Sequence, residues 1–99
     1  MHSILIVDDE DNVLKSLSRH FRSYSYDVQC FIDPLEALQQ CVTHHFDLVI
    51  TDQRMPSMFG VNFLENLMQV QPDVRRILIS GYSDFQDVVE AFNSGVIHK

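Results

Sequence analysis

The 99-residue sequence predicts a single α/β domain built on a doubly wound parallel sheet, and two observations support this fold class. Three short apolar runs, residues 4–7, 48–50 and 77–79, lack polar alternation, which is typical of strands buried on both faces. Helical patterns lie between these runs, so that strand and helix alternate along the chain. Such alternation favours parallel strands joined by right-handed helical crossovers.

The first half of the chain predicts two strands and two helices. Residues 4–7 form a buried strand, and residues 26–31 alternate more and therefore predict a strand nearer an edge. Asp33 followed by Pro34 supplies an N-cap and a proline at the first position of the second helix. The residues expected on the inner faces of the two helices are Val13, Leu14, Leu17 and Phe21, then Leu35, Leu38 and Val42.

The second half predicts two further pairs of strand and helix. Ser83 and Asp84 suit the start of the fourth helix, and Gly95 suits its C-terminal stop. Residues 96–97 begin a further element. The residues expected on the inner faces of the third and fourth helices are Val61, Leu64, Leu67 and Met68, then Phe85, Val88, Val89 and Phe92.

Composition and charge exclude several classes of partner. The formal net charge of −7 argues against direct contact with nucleic acid or with an anionic membrane. No apolar run approaches the roughly 20 residues that span a bilayer. Cys30 and Cys41 lack metal-ligand spacing and predict reduced thiols in a cytoplasmic protein. Arg75 and Arg76, which precede the fourth strand, are interpreted as its solvated entrance.

Polar residues stand at the carboxyl ends of three predicted strands. The first strand ends in Asp8 and Asp9, the third in Asp52 and the fourth in Ser80. Parallel strands bring these ends to one edge of the sheet, where ligands bind in such folds. Carboxylates gathered there repel one another unless they are neutralised, and oxygen-only ligands suit Mg²⁺. Glu10, in contrast, is explained by the preference of helix N-termini for negative charge.

Three segments together carry a resemblance to a known family. The segments ILIVDDE, DLVITDQRMPSMFG and RRILISGYSD resemble the receiver domain of bacterial two-component response regulators, in order and at compatible spacing. The resemblance extends over nearly the whole chain. It implies a flavodoxin-like sheet with strand order 2-1-3-4-5 and a phosphorylation switch in signal transduction, with no enzymatic function beyond the chemistry of its own phosphorylation.

The resemblance also implies a phosphoacceptor and a metal site. Asp52 corresponds to the phosphoacceptor, Asp9 to the direct Mg²⁺ ligand and Asp8 to the acid that holds the metal through water. The backbone carbonyl of Arg54 corresponds to a further metal ligand, and Asp52 itself is also a ligand. The cofactor expected is Mg²⁺, with Mn²⁺ as a substitute.

Ser80 and Gly81 correspond to the family's switch positions. The Ser80 hydroxyl is expected to bind the phosphoryl group, with Gly81 as the small residue beside it. The partners implied are a histidine kinase or phosphotransfer protein and an output domain on the same longer chain.

The chain departs from the family pattern at its end. Receivers carry an active-site lysine at the end of the fifth strand, and the spacing after Gly95 places it beyond Lys99. We therefore expect residues 1–99 to form a C-terminally incomplete receiver domain, with the fifth strand and fifth helix truncated or missing. A chain that ended there would expose a sheet edge, which favours a swapped form or a homodimer. Phe59 stands where an aspartate is common, and is expected to pack or to meet a partner.

Two alternative functions remain open at this stage. A receiver-shaped adaptor that is not phosphorylated would explain the absent lysine. A phosphatase of the haloacid dehalogenase type also uses a strand-end aspartate and Mg²⁺, but it needs a second aspartate two residues later. Arg54 occupies that position after Asp52, and Glu10 occupies it after Asp8, so the phosphatase is disfavoured.

Overall fold

The computed structural model describes residues 2–80 and 85–98. Its elements are, in chain order, β1 (Ser3–Val7), α1 (Asp11–Arg22), β2 (Asp27–Phe31), α2 (Pro34–Thr43), β3 (Leu48–Asp52), α3 (Gly60–Val70), β4 (Arg75–Ile79) and α4 (Phe85–Asn93). The predicted alternation of strand and helix is therefore confirmed. None of these helices has the length and apolar character needed to cross a bilayer.

The four strands are parallel and lie in the order β2-β1-β3-β4. This order matches the first four strands of the predicted 2-1-3-4-5 arrangement, and β2 lies at an edge as predicted. The described residues contain no fifth strand. The chain nevertheless returns beside β4, where Val96 and Ile97 are buried and the backbone N–H of His98 donates to the carbonyl of Arg76 at 2.8 Å.

The sheet separates two apolar layers. Successive residues of β1 serve opposite layers: Leu5 and Val7 pack with α2, α3 and α4, whereas Ile4 and Ile6 pack with α1. All four of these side chains are at most 2% exposed. In β1 the absence of alternation thus reflects burial on both faces of the sheet, whereas Ile79 at the end of β4 is 40% exposed.

Two predicted helix boundaries are confirmed by their hydrogen bonds. The Asp33 carboxylate accepts from the backbone N–H of Leu35 at 3.0 Å and caps α2. After α4 the backbone is left-handed at Gly95, with φ of 82°. There the N–H of Val96 donates to Ala91 O at 2.9 Å and that of Gly95 to Phe92 O at 3.2 Å, which is the Schellman arrangement. The predicted start at Ser83 and Asp84 lies outside the described residues.

The inner face predicted for α2 is wrong. Leu35 and Val42 are 50% and 69% exposed, whereas Ala37 and Cys41 are buried. Apolar residues occur at helical spacing on two faces of this helix, and the face with the small Ala37 side chain packs against the sheet because it permits closer approach. Only Leu38, which is partly buried, belongs both to the predicted inner face and to the face that packs against the core.

Arg76 is buried, so the interpretation of Arg75 and Arg76 as a solvated strand entrance is wrong for Arg76 and holds for the exposed Arg75. Burial lowers the pKa of the Arg76 guanidinium. Its N–H groups donate to four backbone carbonyls, those of Pro72 (3.2 Å), Val74 (2.9 Å), Gly95 (3.2 Å) and Val96 (2.6 Å). The side chain therefore joins the start of β4 to the segment that follows α4.

Both cysteines are free thiols, as predicted. Cys41 is 2% exposed, and burial raises the pKa of its thiol to about 11. This thiol is therefore protonated at neutral pH and behaves as a small apolar side chain of the core.

Candidate functional site

Two adjacent strands bring three carboxylates together at the carboxyl edge of the sheet. Asp8 and Asp9 follow β1, and Asp52 is the last residue of β3, which pairs directly with β1. One oxygen atom from each carboxylate lies within 4.8 Å of the other two. The convergence expected from the strand ends is thus present, although Asp8 and Asp52 are 44 positions apart in the sequence.

Asp8 is the most buried member of this carboxylate cluster, at 4% exposed. Burial raises the pKa of the Asp8 carboxyl, and the nearby charges of Asp52 and Asp9 raise it further. One hydrogen bond opposes these effects, since the Asp8 carboxylate accepts from the backbone N–H of Glu10 at 2.9 Å. This bond also orients the carboxylate at the start of α1.

Asp52 is half-buried at the tip of β3. Burial raises the pKa of its carboxyl, the backbone N–H groups of Arg54 and Gln53 lower it, and the charge of Asp9 raises it again. The ionised cluster is therefore unfavourable in the folded chain without a counter-charge. Three carboxylate oxygens at this separation are hard ligands, and they fit Mg²⁺ with water in the remaining positions.

The Arg54 side chain lies beside the ring of Phe59. Arg54 is exposed, and its guanidinium carbon lies 5.9 Å from the centre of the Phe59 ring, which is a cation–π distance. The Phe59 side chain is 48% exposed. The role predicted for the backbone carbonyl of Arg54 as a metal ligand stays a prediction.

Ser80 lies at the same edge of the sheet. The register of β3 and β4 pairs Asp52 with Ile79, and Ser80 is the next residue along the chain. Ser80 is exposed. Its role as the switch hydroxyl stays a prediction, and Gly81 and Lys99 lie outside the described residues.

Sequence reasoning missed Gln53, which is 1% exposed and adjacent to Asp52. The side-chain oxygen of Gln53 accepts from the backbone N–H of Val61 at 2.9 Å, near the start of α3. One sequence signal points to it. Helix α3 begins after Phe59, which cannot cap with its side chain, so an acceptor must come from elsewhere in the chain.

Gly60 allows α3 to begin directly against the end of β3. A Cβ atom at this position would lie 2.2 Å from the backbone oxygen of Asp52 and 2.8 Å from a methyl carbon of Leu78. No larger residue fits without movement of the backbone. The first residue of α3 therefore rests on the peptide group that carries Asp52.

The sequence matches the response regulator receiver domain over residues 4–98. The regulatory protein AtoC of Escherichia coli is 35% identical over 95 residues, which cover 96% of this chain and 21% of AtoC. The response regulator ArlR of Staphylococcus aureus is 32% identical over 95 residues, 96% of this chain and 43% of ArlR. The chain thus spans less than half the length of these curated relatives.

The fold is also similar to that of a solved receiver. A CheY-like response regulator receiver domain from Methanospirillum hungatei is 28% identical, with a TM-score of 0.89 over 96% of this chain and 76% of that one. The match over residues 4–98, the sheet order and the carboxylate cluster agree with one another. The chain belongs to the response regulator receiver domain family, whose members are regulatory.

Proposed function

We propose that this chain is a phosphorylation-dependent signalling switch that accepts a phosphoryl group on Asp52 from a histidine kinase or a phosphotransfer protein. The observation that carries the proposal is the convergence of Asp8, Asp9 and Asp52 at the ends of β1 and β3 in a receiver-family chain. A carboxylate oxygen of Asp52 attacks phosphorus and forms an acyl phosphate, while the donor's phosphorus–nitrogen bond breaks.

The residues that would hold Mg²⁺ are Asp8, Asp9, Asp52 and the backbone carbonyl of Arg54. When bound, Mg²⁺ (or Mn²⁺) neutralises the carboxylates and stabilises negative charge on the transferring oxygens. Asp8 is fixed for this role by its hydrogen bond from the Glu10 N–H. Asp52 remains half-buried and is therefore open to an incoming phosphoryl donor.

The response to phosphorylation is assigned to Ser80 and Gly81. Ser80 follows the β4 residue that pairs with Asp52, so its hydroxyl is available to donate to a phosphoryl oxygen on Asp52. A new acceptor at Asp52 thereby gives the Ser80 side chain a second stable position. The curated relatives are longer than this chain, and an output domain on the same longer, cytoplasmic polypeptide would read this change.

The test is the intact mass of the protein after incubation with Mg²⁺ and acetyl phosphate, which supplies the phosphoryl group without a kinase. We expect the wild type to gain one phosphoryl group and Asp52→Asn to gain none. Asp47→Asn is the matched control, because Asp47 is an exposed aspartate directly before β3, at the amino ends of the strands. The same measurement on a chain that continues through a fifth helix measures the contribution of the expected lysine.

Two results would contradict the proposal. Equal phosphorylation of wild type and Asp52→Asn would place the acceptor elsewhere. Absence of phosphorylation in both the 99-residue and the longer chain, with Mg²⁺ bound, would favour the unphosphorylated adaptor instead.

A further inference from the structure

We propose that Gln53 is a positioning residue that holds Asp52 and the loop after it, residues 54–59, in the geometry needed for Mg²⁺ binding and phosphorylation. This inference rests on the proposed function. It concerns a buried amide side chain that the proposed chemistry does not itself use.

The start of α3 depends on Gln53 for its hydrogen bonds. The N-cap residue Phe59 makes no side-chain cap bond, so the first N–H groups of the helix need other acceptors. The backbone oxygen of Gln53 accepts from the N–H of Gly60 at 2.9 Å, and its side-chain oxygen accepts from the N–H of Val61 at 2.9 Å. One residue directly after β3 therefore caps a helix that begins seven positions later.

These two bonds close the loop of residues 54–59 at its base. The loop begins after Gln53, the residue that follows β3, and ends at Gly60, so that the two bonds hold its two ends together. The backbone N–H of Arg54, the first residue of the loop, lowers the pKa of the Asp52 carboxyl, and the N–H of Gln53 also lowers it. The bonds of Gln53 to α3 thus fix the direction of the peptide groups next to Asp52.

Gln53 also connects this loop to β4. Its backbone N–H donates to the carbonyl of Ile79 at 2.9 Å, and Ile79 directly precedes Ser80. Because Gln53 is 1% exposed, water cannot readily replace these bonds. Gln53 therefore joins the peptide of Asp52, the loop with Arg54 and the strand that leads to Ser80.

A purely stabilising role is the alternative, and Gln71 provides the matched control. Gln71 is also buried, at 6% exposed, and lies at the other end of α3, away from the carboxylates. Its side-chain oxygen accepts from the N–H of Phe46 at 3.0 Å, and its side-chain nitrogen donates to the carbonyls of Cys41 (2.8 Å) and His44 (2.7 Å). Both glutamines thus fasten one end of α3 to another part of the chain.

The experiment compares Gln53→Met with Gln71→Met, which retain side-chain volume and remove the amide. Stability is measured by urea unfolding, Mg²⁺ affinity by calorimetric titration, and the initial rate of phosphorylation by acetyl phosphate at saturating Mg²⁺. We expect both variants to be destabilised. Only Gln53→Met should bind Mg²⁺ about tenfold more weakly, as for other residues that orient metal ligands. Its phosphorylation rate at saturating Mg²⁺ should fall by a similar factor, whereas Gln71→Met should keep both properties within about twofold.

Two further variants protect the test against misfolding and against a volume effect. Gln53→Glu keeps an acceptor for the N–H of Val61 and should bind Mg²⁺ more tightly than Gln53→Met, although its added charge beside Asp52 changes both properties from those of the wild type. Gln53→Asn is polar but one methylene too short to reach Val61, and it should also weaken Mg²⁺ binding. It takes the place of Gln53→Met in the comparison if that variant does not fold.

The inference is overturned if Gln53→Met and Gln71→Met have the same Mg²⁺ affinity and rate, or if Gln53→Glu is as impaired as Gln53→Met. Failure of the proposed function is a separate result. In that case the wild type gains no phosphoryl group, while the Mg²⁺ titrations still measure whether Gln53 positions the carboxylates.

Discussion

The carboxylates of Asp8, Asp9 and Asp52 repel one another in the folded chain, since their oxygen atoms lie within 4.8 Å of one another. Burial adds to this cost for Asp8 and Asp52, and the pKa of each is raised. The folded state therefore holds protons on these residues more tightly than the unfolded chain does. Such an arrangement lowers stability at neutral pH, and it is typical of sites that bind a cation.

Asp52→Asn should make the metal-free protein more stable than the wild type at pH 7, by a few degrees in Tm. The pKa of Asp52 is raised on folding. Asp52 therefore contributes to the stability of the fold in full at pH values below the ordinary aspartate pKa, and this contribution is lost as pH rises through the raised pKa. The asparagine variant has no such loss, so the difference should disappear toward about pH 4. Thermal unfolding in EDTA between pH 4 and 7.5 measures the difference in Tm between the wild type and Asp52→Asn.

Asp47→Asn is the control with the opposite sign. The N–H of Ser3 donates to the Asp47 carboxylate at 2.8 Å and lowers its pKa, with His2 and His45 as smaller contributions. Stability from Asp47 is therefore present at neutral pH and lost as pH falls through the lowered pKa. Equal stabilisation by Asp47→Asn and Asp52→Asn at pH 7 would contradict the explanation given for Asp52.

Individual elements are joined at two places that local patterns do not reveal. At the carboxyl edge, α3 begins against the peptide of Asp52, where only Gly60 fits. At the opposite edge, Arg76 joins the start of β4 to the carbonyls of Gly95 and Val96 after α4. Both connections are buried, so a substitution at either place has to move backbone or leave polar groups unpaired.

Gly60→Ala should destabilise the protein by about 2–4 kcal/mol, because the added methyl group overlaps the Asp52 carbonyl and forces a backbone shift. Gly95→Ala is the comparison, since a Cβ there meets nothing within 4 Å and only the positive φ of 82° is strained. That strain costs roughly 1–2 kcal/mol. Urea unfolding of both variants would refute the packing argument if Gly95→Ala cost more than Gly60→Ala.

Arg76→Met should lower the free energy of unfolding by about 3 kcal/mol, because it leaves buried carbonyls of the β4 and α4 ends without their charged donor. Arg75→Met should change it by less than about 0.5 kcal/mol, since Arg75 is exposed. Chemical denaturation of the two variants provides the comparison. A similar loss for both would show that the four bonds of the Arg76 guanidinium contribute little.

At the scale of the whole molecule, an acidic chain concentrates like charges at one edge of its sheet. The formal net charge is −7, and Asp8, Asp9 and Asp52 lie together without a cationic partner among the ion pairs of the described residues. A cation bound there stabilises only the folded state, because the unfolded chain does not bring the three residues together. Metal binding and global stability should therefore be linked.

Mg²⁺ should raise the Tm, and the stabilisation should approach about 2.7 kcal/mol at 100 times its Kd. Asp9→Asn should remove most of this effect, since it deletes one carboxylate of the cluster. Thermal scans with MgCl₂ and with NaCl at equal ionic strength separate specific binding from charge screening. An equal rise in Tm with both salts would argue against a metal site.

Much of this architecture could be predicted from local patterns. Unbroken apolar runs indicated strands covered on both faces, and the polar residues at their ends indicated one carboxyl edge with Asp8, Asp9 and Asp52. The N-cap at Asp33 and the stop at Gly95 were also readable, since each depends on backbone groups only a few residues away. These features follow from chain geometry and short-range hydrogen bonding, which sequence periodicity reflects directly.

Tertiary packing alone decided which of two apolar helix faces is buried. It also decided which buried polar side chains bind backbone groups that would otherwise bind water. In α4, Ala91 is 3% exposed and Phe92 58% exposed, although the phenylalanine belonged to the predicted inner face. Arg76 and Gln53 are buried because distant carbonyls and helix N–H groups lie within reach, and no local pattern encodes such partners. The sequence by itself determined the order of the elements and the chemistry at the strand ends. The contacts between elements, which depend on shape and on unpaired backbone groups far away in the chain, determined how that chemistry is held.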